Sequence, residues 1–186
     1  MMSGRMRRLI GMAALAVLLV TTATACSKKE VLPRREGLGV EVGGLTYTVF
    51  ITRELNPRDV EDRDYIPPTD AGRGFAWFGV FLQVCNSDNG PTRTPTNNLR
   101  IVDTQGNTYT PTPLPATAVF AYRPVPLDAK RCLPQQGSAA FNGPTAGSLV
   151  VFKLPIAGIE NRPLDLEIAP PASGEAPKRQ RVELDI

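Results

Sequence analysis

The chain has 186 residues, 42% hydrophobic, 21% charged and 6% aromatic, with a formal net charge of +3; this is a globular composition with room for one domain rather than two, and it excludes disorder throughout. It contains no histidine, and its four methionines, Met1, Met2, Met6 and Met12, all lie in the first twelve residues. Imidazole is therefore missing as general base or metal ligand and thioether as copper ligand, which excludes His-dependent hydrolases, most transition-metal enzymes and blue-copper electron carriers.

Residues 1–25 read as a secretory signal: Arg5, Arg7 and Arg8, an apolar run over 9–20, and the small-residue stretch TTATA ending at Ala25. The uncharged span 9–25 is 17 residues long, short for a membrane-spanning helix, and small side chains fill its last third. Ala23-Thr24-Ala25-Cys26 resembles the bacterial lipobox, which implies a diacylglycerol thioether on Cys26 as the mature N-terminus. The match departs at Ala23, where leucine is commonest. The same Ala23-Thr24-Ala25 suits an ordinary signal peptidase, so free secretion from Cys26 is the alternative. Cysteine parity favours lipidation, because pairing Cys85 with Cys132 leaves Cys26 as an odd thiol unless it is acylated. Two acyl chains on one cysteine anchor a protein stably, where one does not. Removing the signal takes three arginines with it and leaves 18 basic against 18 acidic residues, a neutral chain without an electrostatic footprint for nucleic acid. Lys178, Arg179 and Arg181 read as a solvated tail.

All 18 prolines follow Cys26, which leaves almost no room for helices of ordinary length and predicts an all-β fold. Residues 26–36 form the lipidated N-terminus and a polar tether. From Gly37 alternation begins, with a short strand over 40–42, a Gly43-Gly44 turn and LTYTVFIT over 45–52, where Leu45, Tyr47, Val49 and Ile51 face one way. A proline-bounded acidic loop covers 56–74. The strongest strand is FAWFGVFLQVCN over 75–86, apolar on both faces: Ala76, Phe78, Val80, Leu82 and Val84 make the core face, and Trp77 and Phe81 lie on the other. A hairpin follows, LRIVD and TYT around TQGN, with Gly106 available for positive φ. Further strands are expected over 118–122, 147–154 and 164–168, with a candidate final strand over 182–186 inside the proline-rich tail 170–186. Eight or nine short strands at this spacing indicate a β-sandwich over 37–169.

Three constellations invite a functional reading. Cys85 and Cys132 are expected to form a structural disulfide, since export places them in an oxidising compartment and no other partner remains. Asp59, Glu61, Asp62 and Asp64 crowd one loop and could hold Ca²⁺, but the EF-hand glycine and terminal glutamate are missing, so a solvated loop is the favoured reading and no metal is assigned. Trp77 and Phe81 are candidates for an exposed recognition patch, against the plainer expectation that neighbouring segments such as 119–122 cover them. No spacing singles out a pair of carboxylates for acid–base work, and no serine sits in a nucleophile elbow, so no catalytic residue and no cofactor are assigned.

The run 37–168, with LTYTVFIT, the acidic loop, the strand ending Val84-Cys85-Asn86, the hairpin LRIVDTQGNTYTP and the late GSLVVFKLP and RPLDLEI, resembles bacterial lipoprotein domains of unknown function with an immunoglobulin-like sandwich, many of them actinobacterial. That resemblance implies an immunoglobulin-like antiparallel β-sandwich of about eight strands at the cell envelope and carries no catalytic residues. The expectation is a lipid-anchored domain on the extracytoplasmic face of the cell membrane. Its role would be a non-catalytic binding module for an envelope protein or polymer. A small-molecule or lipid carrier with a pocket between the sheets is the alternative, and a carboxylate hydrolase the remote one. It departs from antibody domains because Trp77 precedes Cys85 and Cys132 lies in a proline-flanked segment, so the bridge is expected to pin a loop to a strand.

Overall fold

The computed structural model describes residues 33–67, 69–171 and 178–185; the signal, Cys26 and the first part of the tether lie outside the described residues. In chain order come β1 (Arg34–Arg35), β2 (Val40–Val42), β3 (Leu45–Leu55), β4 (Phe75–Cys85), β5 (Leu99–Val102), β6 (Thr108–Tyr109), β7 (Pro111–Thr112) and β8 (Cys132–Leu133). There follow the short helix α1 (Ala139–Asn142), β9 (Ser148–Pro155), the helical turn α2 (Ile156–Glu160), β10 (Leu164–Ile168) and β11 (Gln180–Leu184). They build two sheets, one ordered β1-β11-β10-β5-β6 and the other β2-β3-β4-β9-β7, of which one curls into a half-barrel. Where β9 ends along one edge of β4, β8 takes its place, pairing Val84 with Leu133 and Cys85 with Cys132.

Strand β4 is the axis of the fold because it is apolar on both faces. Its alternate residues Ala76, Phe78, Val80, Leu82 and Val84 join the core between the sheets, with Phe152 from β9, Leu166 from β10 and Val182 from β11. Phe78, Val80, Leu82, Val84 and Phe152 are all wholly inaccessible, and at about 1.5–3 kcal/mol per large buried side chain this face is a leading contribution to stability. The opposite face of β4 belongs to a second cluster, built on Trp77, Phe81, Leu149 and Val151.

Strand β3 changes allegiance along its length. Leu45, Tyr47 and Val49 face the intersheet core as expected, but a register shift between Val49 and Ile51 reverses the alternation. Ile51 now stands opposite Phe81, and Thr52 opposite Val80. The expected inward Ile51 is therefore an outward one, because a bulge inserts one residue and passes the pleat to the other face.

Other expectations are corrected at the ends. The tether does not stay free throughout: Arg34 and Arg35 pair in parallel with Val182 and Glu183, and the Glu36 carboxylate accepts from the Thr52 hydroxyl and from the Asp185 N–H. The candidate final strand is a full member of its sheet, paired with β10 over five residues. Residues 118–122 form turns with a single bridge, Ala121 to Leu149, rather than a strand. The hairpin forms as read, with Gly106 at φ 82°. The chain is mostly β with two sheets and one disulfide.

Candidate functional site

The candidate site grows from the end of β4. Cys85 stands in register with Cys132 on β8, and the two are joined by a disulfide across a Cα–Cα distance of 4.1 Å. The bridge thus links neighbouring strands of one sheet; the proline-flanked segment around Cys132 is a short strand, where a loop was expected. Asn86, the next residue, is wholly buried. Its side-chain amide donates to the carbonyls of Pro91 (3.0 Å) and Leu127 (2.9 Å). Its own N–H donates to the Arg131 carbonyl, and its carbonyl accepts from the Lys130 N–H. One asparagine and one disulfide therefore hold segment 127–133 to β4, the asparagine satisfying carbonyls that burial would otherwise leave unpaired. Sequence reading noted Asn86 only as part of a strand ending; a polar residue directly after a bridged cysteine was the available signal.

This clamped segment walls a surface cavity of about 770 Å³. Gln83 of β4, Asp128, Lys130, Arg131, Gln135 and Gln136 bring hydrogen-bonding and charged groups to it, and Phe141 of α1 brings an aromatic face. Lys130 is held at φ 63°, and its ammonium donates to the Ser87 carbonyl at 2.5 Å. Asp128 accepts from the Thr92 hydroxyl at 2.6 Å and is the sole carboxylate on the wall. The lining offers amide donors and acceptors, two cations, one carboxylate and a flat apolar surface.

The candidates on β4 and the acidic loop meet a different fate. Trp77 is 7% exposed and Phe81 0%, so they are not an exposed recognition patch. The loop over 56–74 folds across them: Tyr65 meets Phe81 edge-on at 5.3 Å and Phe120 at 4.7 Å, and the Trp77 indole N–H donates to the Thr69 carbonyl. Phe120, from the segment expected to cover them, completes the lid. Asp62 is drawn into the same cover, buried at 4% exposure, where it pairs with Arg53 at 2.5 Å and accepts from the Asn56 N–H. Arg53 in turn lies 5.8 Å from the Tyr65 ring centre and 6.0 Å from that of Phe81. Asp59 caps its own turn by accepting from the Glu61 N–H, and Glu61 and Asp64 are exposed. The four carboxylates do not converge, and no group of three metal-ligating residues occurs among the described residues. The acidic loop is structural cover.

The basic tail is corrected too. Arg181 donates its Nε to Glu167 at 3.0 Å, Arg100 reaches the same carboxylate at 2.7 Å, and Arg179 lies 3.8 Å away. Glu167 is 3% exposed, so these arginines neutralise a buried charge on the outer side of β10. Beside them burial raises the Asp165 carboxyl above its ordinary range against the pull of Arg181. Lipidation at Cys26 concerns a position outside the described residues.

No protein-family model and no curated protein matches the chain. Among solved structures it is similar in fold to the yjhA protein from Bacillus subtilis, with 10% sequence identity and a TM-score of 0.53 over 82% of this chain and 99% of that one.

Proposed function

We propose that the protein is a lipoprotein anchored through Cys26 to the extracytoplasmic face of the cell membrane, where its domain, read as an immunoglobulin-like sandwich, binds an envelope protein or polymer without catalysis. The observation that carries the binding reading is the cavity at the end of β4, walled by a segment that a disulfide and a buried asparagine hold in place before any ligand arrives. Preorganisation of this kind removes an ordering cost from binding. The anchor reading is supported by the small residues before Cys26 and by the pairing of the other two cysteines.

The carrier reading has one observation in its favour, a cleft of about 420 Å³ between β5 and the edge of β9, lined by Leu99, Leu114, Tyr122 and Val150. The intersheet volume itself is filled by Phe78, Phe152 and their neighbours, so a carried molecule would sit at the rim. Cross-linking in intact cells followed by mass spectrometry tests the binding reading, with Cys26→Ser and Arg131→Glu strains beside the natural one. A partner recovered with the natural chain and lost from both variants is the expected result. Equal recovery from Arg131→Glu would remove the cavity from the reading, and recovery of the chain alone, with a small molecule in native extracts, would favour the carrier.

A further inference from the structure

Large apolar side chains on the outside of this domain are few, and three of them gather where the chain enters the fold. Leu38 is 53% exposed, Phe50 38% and Ile51 39%. They are neighbours because the Gly37 N–H donates to the Val49 carbonyl at 2.7 Å and Glu36 accepts from Thr52, so that residues 36–38 run alongside 49–52. The bulge in β3 is what turns Ile51 outward; without it Ile51 would follow Leu45, Tyr47 and Val49 into the core. A bulge that spends an isoleucine on solvent calls for something to cover it.

The same corner carries charge of both signs. Arg34 and Arg35 are exposed on β1, and across 27–36 Lys28, Lys29, Arg34 and Arg35 outnumber Glu30 and Glu36 by two. Carboxylates share the corner: Glu36 is held by Thr52 and the Asp185 N–H, the Asp185 carboxylate acts on Glu36, and Glu183 stands opposite Arg35 in the ladder, so with Glu30 they balance the two lysines and two arginines. From Cys26 to Arg34 is eight residues, at most about 28 Å of extended chain. An acyl group on Cys26 therefore keeps this corner within reach of the bilayer that holds it.

We infer that this corner is a membrane-contact face, in which Leu38, Phe50 and Ile51 enter the interfacial layer of the bilayer. The occupant is the lipid surface itself, chosen by the tether's length and by the exposed apolar side chains where the chain enters the fold. The inference rests on the acylation of Cys26 proposed above, and adds to it that the domain lies against the membrane in one orientation.

The test uses the acylated protein extracted from membranes and reconstituted on vesicles of phosphatidylethanolamine and phosphatidylglycerol, with or without bromine on the acyl chains. A tryptophan reporter is introduced by Phe50→Trp, by Leu38→Trp, or as a control by Val119→Trp, at an exposed residue on the far side of β9 from β3. The buried Trp77 adds the same background to all three. In brominated vesicles Phe50→Trp and Leu38→Trp should lose about half of their added emission and shift to the blue, while Val119→Trp should not change. If Phe50→Trp disturbs the bulge, Leu38→Trp decides alone. Protein that carries acyl mass on Cys26 and floats with the vesicles, yet shows no quenching from either reporter, overturns the contact face and leaves the anchor standing. A chain with no acyl mass on Cys26 that stays off the vesicles overturns the anchor, and the contact face with it.

Discussion

Asp103 closes the β5–β6 hairpin, and replacing it by Asn should cost stability in a way that depends on pH. Its Oδ1 accepts the N–H groups of Gln105 (3.0 Å) and Asn107 (2.9 Å). Its Oδ2 accepts from the Asn107 amide (2.8 Å), the Tyr109 hydroxyl (3.0 Å) and the Asn161 amide (3.4 Å). Burial at 4% exposure opposes ionisation, but the bonds from Asn107, Tyr109 and Asn161 outweigh it and lower the carboxyl from 3.8 to about 2. That lowering corresponds to about 2 kcal/mol of stability from the ionised form, an upper value for a site at the rim of a sheet. Because the folded-state value lies below the unfolded one, the contribution is complete above pH 3.8 and is lost as the pH falls toward 2. Urea denaturation of the natural chain and of Asp103→Asn, at neutral pH and at steps down through that window, measures it. The difference in unfolding free energy should shrink by about 2 kcal/mol across the window, above a constant offset from the amide's changed donor pattern. A difference that stays the same at every pH would refute the role given to the carboxylate charge.

Three further outcomes follow from the same structure. Removing the disulfide by Cys85→Ala with Cys132→Ala, at a sequence separation of 47, should cost about 4 kcal/mol through a looser unfolded chain, read as a lower urea midpoint that reduction of the natural protein reproduces. Phe81→Ala should cost about 3–5 kcal/mol by opening the second cluster, and acrylamide should quench Trp77 in the variant far more than in the natural chain, where the acidic loop covers the indole. Gly79→Ala places a methyl group 2.8 Å from Leu55 Cδ1 and 3.1 Å from Leu149 Cδ1, so it should destabilise by about 1–3 kcal/mol, seen as a fall in melting temperature with the fold retained.

Much of the strand pattern was legible because each strand announces itself locally. The two-faced apolar run of β4, the GSLVVFKL run of β9 and the hairpin glycine all carry their signal within a dozen residues. What stayed hidden depends on partners distant in sequence. The bulge at Phe50 inserts one residue without any composition that marks it, and it alone decides whether Ile51 is core or surface. Arg34 and Arg35 look like tether until β11 lies beside them, and Arg181 looks like tail until Glu167 is placed under it. The acidic loop misled for a related reason: the sequence displays its four carboxylates, while Tyr65, Ile66 and Ala71, which follow them, are what pack. Of the candidate site, the cysteine pair was readable by elimination, whereas the Asn86 clamp required knowing which carbonyls would come within its reach.

The parallel pair of β1 and β11 has a consequence for the order in which the molecule can be made. A ribosome releases β1 early and β11 at the end of the described chain, almost 150 residues later. Until then β1 has no partner, β10 presents a bare edge, and Glu36 has only half of its clamp. The five-stranded sheet is therefore finished from its last piece, and its most sequence-distant contacts close last, as slow-forming topologies do. A chain cut short before Gln180 would lose not a loose tail but the strand that joins both sides of a sheet.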